Sequence, residues 1–201
     1  MLLMAALNTD PIALAETQYR ALDSYQVTLH ATDASGDTQV IRYFYRKPGY
    51  VRMEFIQPHH GAVLVYDPGV HRVRLWPFGF RSFPSMTLSP DNPLIRSQRG
   101  QQVDRSDVGA LLDNVRNLQQ GGSTEVRGKE VMGHWQTLHV VVTGPARATV
   151  AGVHRYQLWL AQPTLFPVKV ESWNLQGSLI ESVLMDDVEF NVDFPEGFFE
   201  P

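Results

Sequence analysis

The chain has 201 residues, of which 43% are hydrophobic and 19% are charged, and its formal net charge is −4 at pH 7. This length suits a single domain with a sizeable core, and the acidic balance gives no support to nucleic-acid binding. The sequence contains no cysteine, which excludes disulfides, thiolate catalysis and an acylated N-terminal cysteine in this chain. It also lacks a run of about 18 apolar residues, so no membrane-spanning helix is predicted.

The beginning of the chain predicts one helix and one strand. Residues 1–9 are apolar at their start but lack a basic n-region, so we interpret them as a signal remnant or a disordered start. A helix is predicted over Ile12–Leu22, because Asp10 can cap it and Pro11 suits its first position. The alternating segment Tyr25–Ala31 follows as a half-buried strand.

The next part of the chain predicts an antiparallel meander of four strands. Turns rich in proline and glycine separate these strands, which are Gln39–Lys47, Tyr50–Gln57, Ala62–Asp67 and Val70–Trp76. Apolar and polar residues alternate along each strand, which predicts one apolar face and one arginine-rich, solvated face. This basic face is either simply solvated or a patch for an anionic headgroup or an acidic partner.

The residues after Trp76 are irregular as far as Arg99 and include Phe78, Phe80 and Phe83. Apolar side chains on a non-repeating backbone indicate a loop that lies over a hydrophobic surface. A second helix follows, with Asp104 or Ser106 as its cap. Its apolar residues recur at spacings of three and four, which requires an apolar surface beneath it; they are Val108, Leu111, Leu112, Val115 and Leu118.

The rest of the chain returns to strands and completes the predicted fold class. Five further strands are predicted, namely Thr124–Met132, Gln136–Thr143, His154–Ala161, Pro167–Asn174 and Leu179–Val192. The fold class is therefore mainly β with helices (α+β), with nine or ten antiparallel strands in one curled sheet. The helices are expected on the concave side, because a two-sheet sandwich would leave the amphipathic helix no place to lie. The phenylalanine-rich tail is expected to pack under the sheet or along its edge.

Several short motifs, in this order, resemble the LolA/LolB family of periplasmic lipoprotein-sorting proteins. The motifs are Ser24-Tyr25, the strand corner Tyr45-Arg46-Lys47-Pro48-Gly49-Tyr50, Gln57-Pro58, Leu64-Val65-Tyr66-Asp67, Leu158-Trp159-Leu160 and Phe166-Pro167-Val168-Lys169-Val170-Glu171. The resemblance covers nearly the whole chain. It implies one lipid-binding domain over residues 1–201, built as a half-open barrel whose hydrophobic cavity takes acyl chains under a helical lid.

The resemblance also implies a place and partners for the protein. It is expected in the periplasm as a monomeric, non-catalytic carrier in outer-membrane biogenesis, between a membrane donor complex and an outer-membrane acceptor. Two departures set it apart from the sorting carrier. Lys47 stands where the carrier has an arginine that bonds to the lid, and a lysine offers a point charge instead of a planar fork. Val51 replaces an aromatic residue of the carrier.

Three groups of residues are predicted to form the lipid site. The wall of the cavity is expected to consist of Tyr43, Tyr45, Met53, Phe55, Val73, Leu75, Leu158 and Leu160. The lid is expected to present Leu111, Leu112, Val115 and Leu118. The mouth and latch are expected to contain Lys47, Phe78, Phe80 and Phe83.

Catalytic and metal-binding patterns do not stand out in the sequence. It contains no G-x-S-x-G, H-E-x-x-H, phosphate-binding loop or dinucleotide fingerprint. His59-His60 lack further metal ligands at a suitable spacing, and the acidic cluster Asp186, Asp187 and Glu189 is typical of a solvated strand face. We therefore expect a binding protein without catalytic residues, metal or cofactor. The alternative is an envelope sensor of the same fold, which would recognise a partner protein with its basic face and its phenylalanine-rich loop.

Overall fold

The computed structural model describes residues 10–96 and 102–200, in which eleven strands and two α-helices occur. The predicted signal remnant at residues 1–9 lies outside the described residues. The helices are α1 (Pro11–Ala21) and α2 (Val108–Gln119). The strands are β1 (Ser24–Asp33), β2 (Thr38–Arg46), β3 (Tyr50–Gln57), β4 (Val63–Asp67), β5 (Arg72–Trp76), β6 (Met86–Leu88), β7 (Ser123–Met132), β8 (Trp135–Thr143), β9 (Arg155–Ala161), β10 (Phe166–Trp173) and β11 (Leu179–Phe190).

Both helices begin at a capping aspartate. The Asp10 carboxylate accepts a hydrogen bond from the Ile12 amide at 3.0 Å, as the sequence predicted. The cap of helix α2 is Asp107, one residue after Ser106, because the Asp107 carboxylate accepts a hydrogen bond from the Ala110 amide at 2.6 Å. The predicted caps Asp104 and Ser106 were therefore wrong, since both belong to the preceding turn. Neither α-helix of the described ranges is long and apolar enough to cross a membrane.

All eleven strands form one antiparallel sheet in the order β6-β5-β4-β3-β2-β1-β11-β10-β9-β8-β7. Strand β1 lies at its centre, where it pairs with β2 and β11. Strands β6 and β7 are the two edges, so the sheet curls without closing, and the predicted half-barrel with a helical lid is confirmed. Strand β6, with only three residues, was missed because it is too short to show an alternating pattern.

The inner face of the sheet forms the main core together with both helices. Ile12 and Ala15 of α1 are buried there, and so are inward-facing residues of β1 to β5 and of β8 to β11. The helices are tied to each other by Arg116, whose guanidinium lies 2.7 Å from Asp10 and 3.6 Å from Glu16. The helices therefore sit together on the concave side, as predicted.

The outer face between β2 and β5 is covered by the C-terminal tail, which confirms that the tail packs against the sheet. Phe44 and Trp76 are buried in a second cluster beneath Phe198 and its neighbours. Arg52 is only 7% exposed; its guanidinium lies 4.2 Å from the Phe80 ring and 4.3 Å from the Phe198 ring. The prediction of a solvated face was wrong at this position, because aromatic rings replace water around the cation.

Replacement of Arg52 by alanine is expected to lower the free energy of unfolding by about 2–3 kcal/mol. The change removes the hydrogen bonds to the Phe198 carbonyl (3.0 Å) and to the Glu54 carboxylate (2.7 Å), and it leaves the tail without its buried cation. Urea denaturation measures the loss. Arg42→Ala is the matched control, because the Arg42 side chain is 54% exposed and its bond to Glu54 is long at 3.4 Å. Equal losses in the two variants would contradict a buried role for Arg52.

Candidate ligand-binding cavity

A cavity of about 460 Å³ lies between the inner face of the sheet and the first half of α2. This volume is in the range of small-molecule binding sites. A large part of its lining comes from inward-facing apolar residues of the strands. The apolar residues include Val27, Leu29, Ile41, Met53, Phe55, Leu64, Leu75, Val170, Val183 and Met185.

The cavity exists because the helices fill only part of the concave space. Leu112, Val115 and Leu118 of α2 are at most 1% exposed and pack into the main core. Leu111 belongs to the same apolar stripe, but it is half-buried: it packs against the main core and also lines the cavity. Near the first turns of α2, Val108 and Leu111 border the space between helix and sheet without filling it.

The predicted wall residues fall into two groups of equal size. The residues that line the cavity are Tyr43, Met53, Phe55 and Leu75. The residues buried in the main core without lining the cavity are Tyr45, Val73, Leu158 and Leu160. Tyr45 shows one reason for the difference, since its ring centroid lies 6.1 Å from that of Tyr19 on α1. The strand alternation predicted the correct face, whereas the position of the helices decides which residues remain uncovered.

The cover of the cavity is broader than the predicted lid. Among the predicted lid residues Leu111 lines the cavity, whereas Leu112, Val115 and Leu118 anchor the helix. Two short 3-10 helices, Pro93–Ile95 and Val103–Arg105, add Ile95 and Val103 to the lining. The irregular segment before α2 thus contributes apolar residues to the cavity, as expected of a loop that lies over a hydrophobic surface.

The residues predicted at the mouth and latch are not brought together there. Phe78 and Phe83 are 75% and 94% exposed, and neither lines the cavity. Phe80 packs on the outer face, 4.9 Å from Trp76, because Trp76 belongs to the outward phase of β5 and the chain continues on that side. Lys47 donates a hydrogen bond from Nζ to the Arg20 carbonyl at 2.6 Å, so it contacts the end of α1 instead of α2.

The sequence contained a signal for most of the lining residues that the prediction did not name. Val27 and Leu29 share a phase with Tyr25 on β1, and Ile41 shares a phase with Tyr43 on β2. Glu181, Val183 and Met185 alternate in the same way along β11. Because β1 and β11 are neighbours in the sheet, extension of the alternation to both strands would have found this wall.

Hydrogen bonds hold the start of α2 against the floor of the cavity. The Val108 amide donates to the Tyr25 hydroxyl at 3.2 Å. The Tyr43 hydroxyl lies 3.1 Å from Ser106 Oγ and donates to it, because Ser106 donates its own proton to the Val103 carbonyl. Burial raises the pKa of Tyr25 and Tyr43 well above the ordinary range, so both phenols stay neutral. They position the helix as hydrogen-bonding groups and carry no charge.

Asp107 makes the stability of the protein depend on pH. Burial raises the pKa of this carboxyl above its ordinary value, against the opposing effect of its bond to the Ala110 amide. A carboxyl with a raised pKa binds its proton more tightly in the folded state, which stabilises the fold. This stabilisation is complete below the unfolded-state pKa of Asp107 and is lost as pH rises through the higher folded-state pKa. Asp107→Asn keeps a capping side chain, and we expect the wild type to lose stability relative to this variant as pH rises. Urea denaturation between pH 3 and pH 7 tests this, and an unchanged difference would contradict it.

The charged groups of the described residues do not form a metal-binding cluster in the cavity. Arg96 and Arg105 are exposed in its lining, and His59 stands without further ligands. The described part of the chain contains no group of three or more histidines and carboxylates that could hold a metal ion. Asp186 and Asp187 are exposed and lie outside the cavity lining. The absence of catalytic activity remains a prediction.

The curled sheet with helices on its concave side is the architecture that the sequence resemblance implied, and several solved structures share it. The chain is similar to an uncharacterized conserved protein from Thermus thermophilus, with 10% identity, a TM-score of 0.57 and coverage of 95% of this chain and 91% of the other. It is similar to the Mycobacterium tuberculosis lipoprotein LppX, with 14% identity, a TM-score of 0.56 and coverage of 92% and 95%. A third similar structure is the Pseudomonas aeruginosa MucA/MucB complex, with 15% identity, a TM-score of 0.50 and coverage of 93% and 60%.

These similarities establish the fold alone, because each identity is far below the level at which function is shared. No family model matches the sequence, and no curated protein is significantly similar to it. The function must therefore be argued from the cavity and the surface of this chain.

Proposed function

We propose that the protein is a periplasmic carrier that binds the acyl chains of a lipoprotein or another lipid in its cavity. The observation that carries the proposal is the unfilled space of about 460 Å³ on the concave side of the sheet. Each buried methylene contributes about 0.8 kcal/mol, so one long acyl chain would contribute on the order of 10 kcal/mol before ordering costs. A membrane donor complex and an outer-membrane acceptor are the partners that such a carrier requires.

The distribution of polar groups supports a hydrocarbon ligand. The part of the cavity formed by Leu29, Ile41 and Met185 is apolar, and a polar ligand there would lose its hydrogen bonds to water. The buried hydroxyls of Tyr25 and Tyr43 are already engaged with the start of α2. They hold the cover in place and do not require a polar ligand.

The proposal is tested on the protein purified without detergent. Native mass spectrometry is expected to show a bound species of lipid mass that organic solvent extracts. Titration with cis-parinaric acid, a fluorescent fatty acid, is expected to saturate, and the binding should weaken as the alkyl chain of a competing fatty acid is shortened. A protein that carries no lipid and does not bind the fatty acid would overturn the proposal.

A second candidate function is the recognition of a partner protein. The observation that favours it is the exposure of Phe78 and Phe83 on a loop beside the arginines of β5. Replacement of Arg72 and Arg74 by glutamate is expected to abolish the capture of such a partner without changing the binding of cis-parinaric acid. The opposite result favours the carrier alone.

A further inference from the structure

A second pocket, of about 290 Å³, lies on the outer face of the sheet. It is formed by the end of β5 and the loop that follows it, and it is lined by Arg74, Trp76, Arg81, Ser82, Phe83 and Ser85. Arg74 and Trp76 occupy the outward phase of β5, whereas Leu75 between them lines the inner cavity. The two spaces are therefore separated by the sheet, and an occupant of one does not reach the other.

The lining of this outer pocket is cationic and contains no carboxylate. Arg74 donates a hydrogen bond from Nη2 to Ser85 Oγ at 2.9 Å, which leaves the Ser85 hydroxyl proton free to be donated. Arg74 Nε is buried without a hydrogen-bond partner. Arg81 is exposed, and within residues 10–96 and 102–200 it makes no hydrogen bond or ion pair. Two uncompensated guanidinium groups beside a hydroxyl donor suit an anionic group.

One acidic group of the same chain, Glu200, lies near the pocket. Gly197 of the tail lies close to both side chains, because a Cβ placed on it would lie 3.8 Å from Arg81 Nη2 and 3.5 Å from Glu200 Oε2. No ion pair joins Glu200 to Arg81 among the described residues. Among the residues that the structure describes, Arg81 thus has no carboxylate partner in an ion pair.

The size of the pocket and the exposed rings beside it favour a polypeptide over a small anion. A volume of about 290 Å³ is several times that of a carboxylate or a phosphate, since a water molecule takes up about 30 Å³. The Phe83 side chain is 94% exposed at the pocket, and Phe78 is 75% exposed on the same loop. Exposed aromatic rings next to arginines are the composition of protein–protein contact sites.

We propose that the outer pocket binds a glutamate or aspartate side chain of a partner polypeptide, while apolar residues of the partner pack on Phe83. The carboxylate would pair with Arg81 and Arg74 and accept the free proton of Ser85. This proposal does not depend on the lipid site, because the sheet separates the two spaces.

The test is fluorescence anisotropy with two labelled peptides, Gly-Leu-Glu-Phe-Glu-Leu-Gly and its counterpart with glutamine at both acidic positions. The acidic peptide is expected to bind saturably, and the glutamine peptide about tenfold or more weakly, since one charge-assisted hydrogen bond accounts for a factor of this size. Arg81→Gln is expected to weaken the binding of the acidic peptide to the same extent. Arg147→Gln is the matched control, because Arg147 is exposed outside the pocket lining and its replacement changes the net charge equally.

Three results would overturn the proposal. The first is equal binding of the two peptides. The second is an equal effect of Arg81→Gln and Arg147→Gln on the binding of the acidic peptide. The third is a protein that binds neither peptide but binds phosphatidylglycerol vesicles through Phe83. Phe83→Ser is the second variant. The Phe83 side chain is exposed, so its replacement is expected to leave the protein folded. Arg81→Gln is expected to bind cis-parinaric acid as the wild type does. Failure of the outer-pocket proposal can therefore be distinguished from failure of the lipid-site proposal.

Discussion

Leu111→Trp is expected to weaken the binding of cis-parinaric acid at least about tenfold and to leave the melting temperature nearly unchanged. Leu111 lines the cavity and is half-buried, so a larger ring at this position extends into empty space. Larger side chains destabilise a protein where they meet packed neighbours, and here the ring would take the volume that the ligand needs. A fluorescence titration measures the affinity, and differential scanning calorimetry measures the melting temperature.

The matched control for this prediction is Val131→Trp on the edge strand β7. Val131 is 64% exposed and lies outside the cavity lining, so the added ring is expected to leave fatty-acid binding unchanged. If Leu111→Trp binds the probe as tightly as the wild type, the probe does not occupy this cavity. The carrier hypothesis would then lose the site on which it depends.

Leu112→Ala is expected to lower the free energy of unfolding by about 2–5 kcal/mol, whereas Leu111→Ala should cost less than about 1 kcal/mol. The Leu112 side chain is 1% exposed and surrounded by the main core, so its truncation opens a cavity among packed neighbours. Leu111 is half-buried and borders the cavity, so its truncation removes fewer packed contacts. Urea denaturation of both variants measures the two losses.

The comparison of these adjacent leucines tests how α2 is seated on the sheet. Both residues have the same chemistry and helix propensity, so any difference reflects tertiary contacts alone. Equal losses would show that Leu111 is packed as tightly as Leu112 and does not border a cavity. The position of the cavity would then have to be revised.

The alternation of residues along the strands was sufficient to predict which face of the sheet is apolar. Tyr43, Met53, Phe55 and Leu75 line the cavity because successive side chains on a strand point to opposite faces. The apolar stripe of α2 was equally legible, since residues three and four apart share one side of a helix. Both signals depend on local backbone geometry, which the sequence pattern reports directly.

The irregular segments could not be placed in the same way. The loop with Phe78, Phe80 and Phe83 has no period, so nothing in its pattern indicates on which side of the sheet it lies. The structure places it on the outer face, where Phe80 and Phe198 enclose Arg52. This contact joins residues that are far apart in the chain, and no spacing within either segment predicts it.

The sequence by itself determined the strand faces, the amphipathic character of α2 and the likeness to a LolA-like fold, because each of these follows from local periodicity and short motifs. Only the tertiary structure decided where the empty space lies. A cavity is the difference between the volume that the curled sheet encloses and the volume of the side chains that enter it. That difference depends on where α1 and α2 sit, so Leu111 borders the cavity whereas its neighbour Leu112 is enclosed by the packed core.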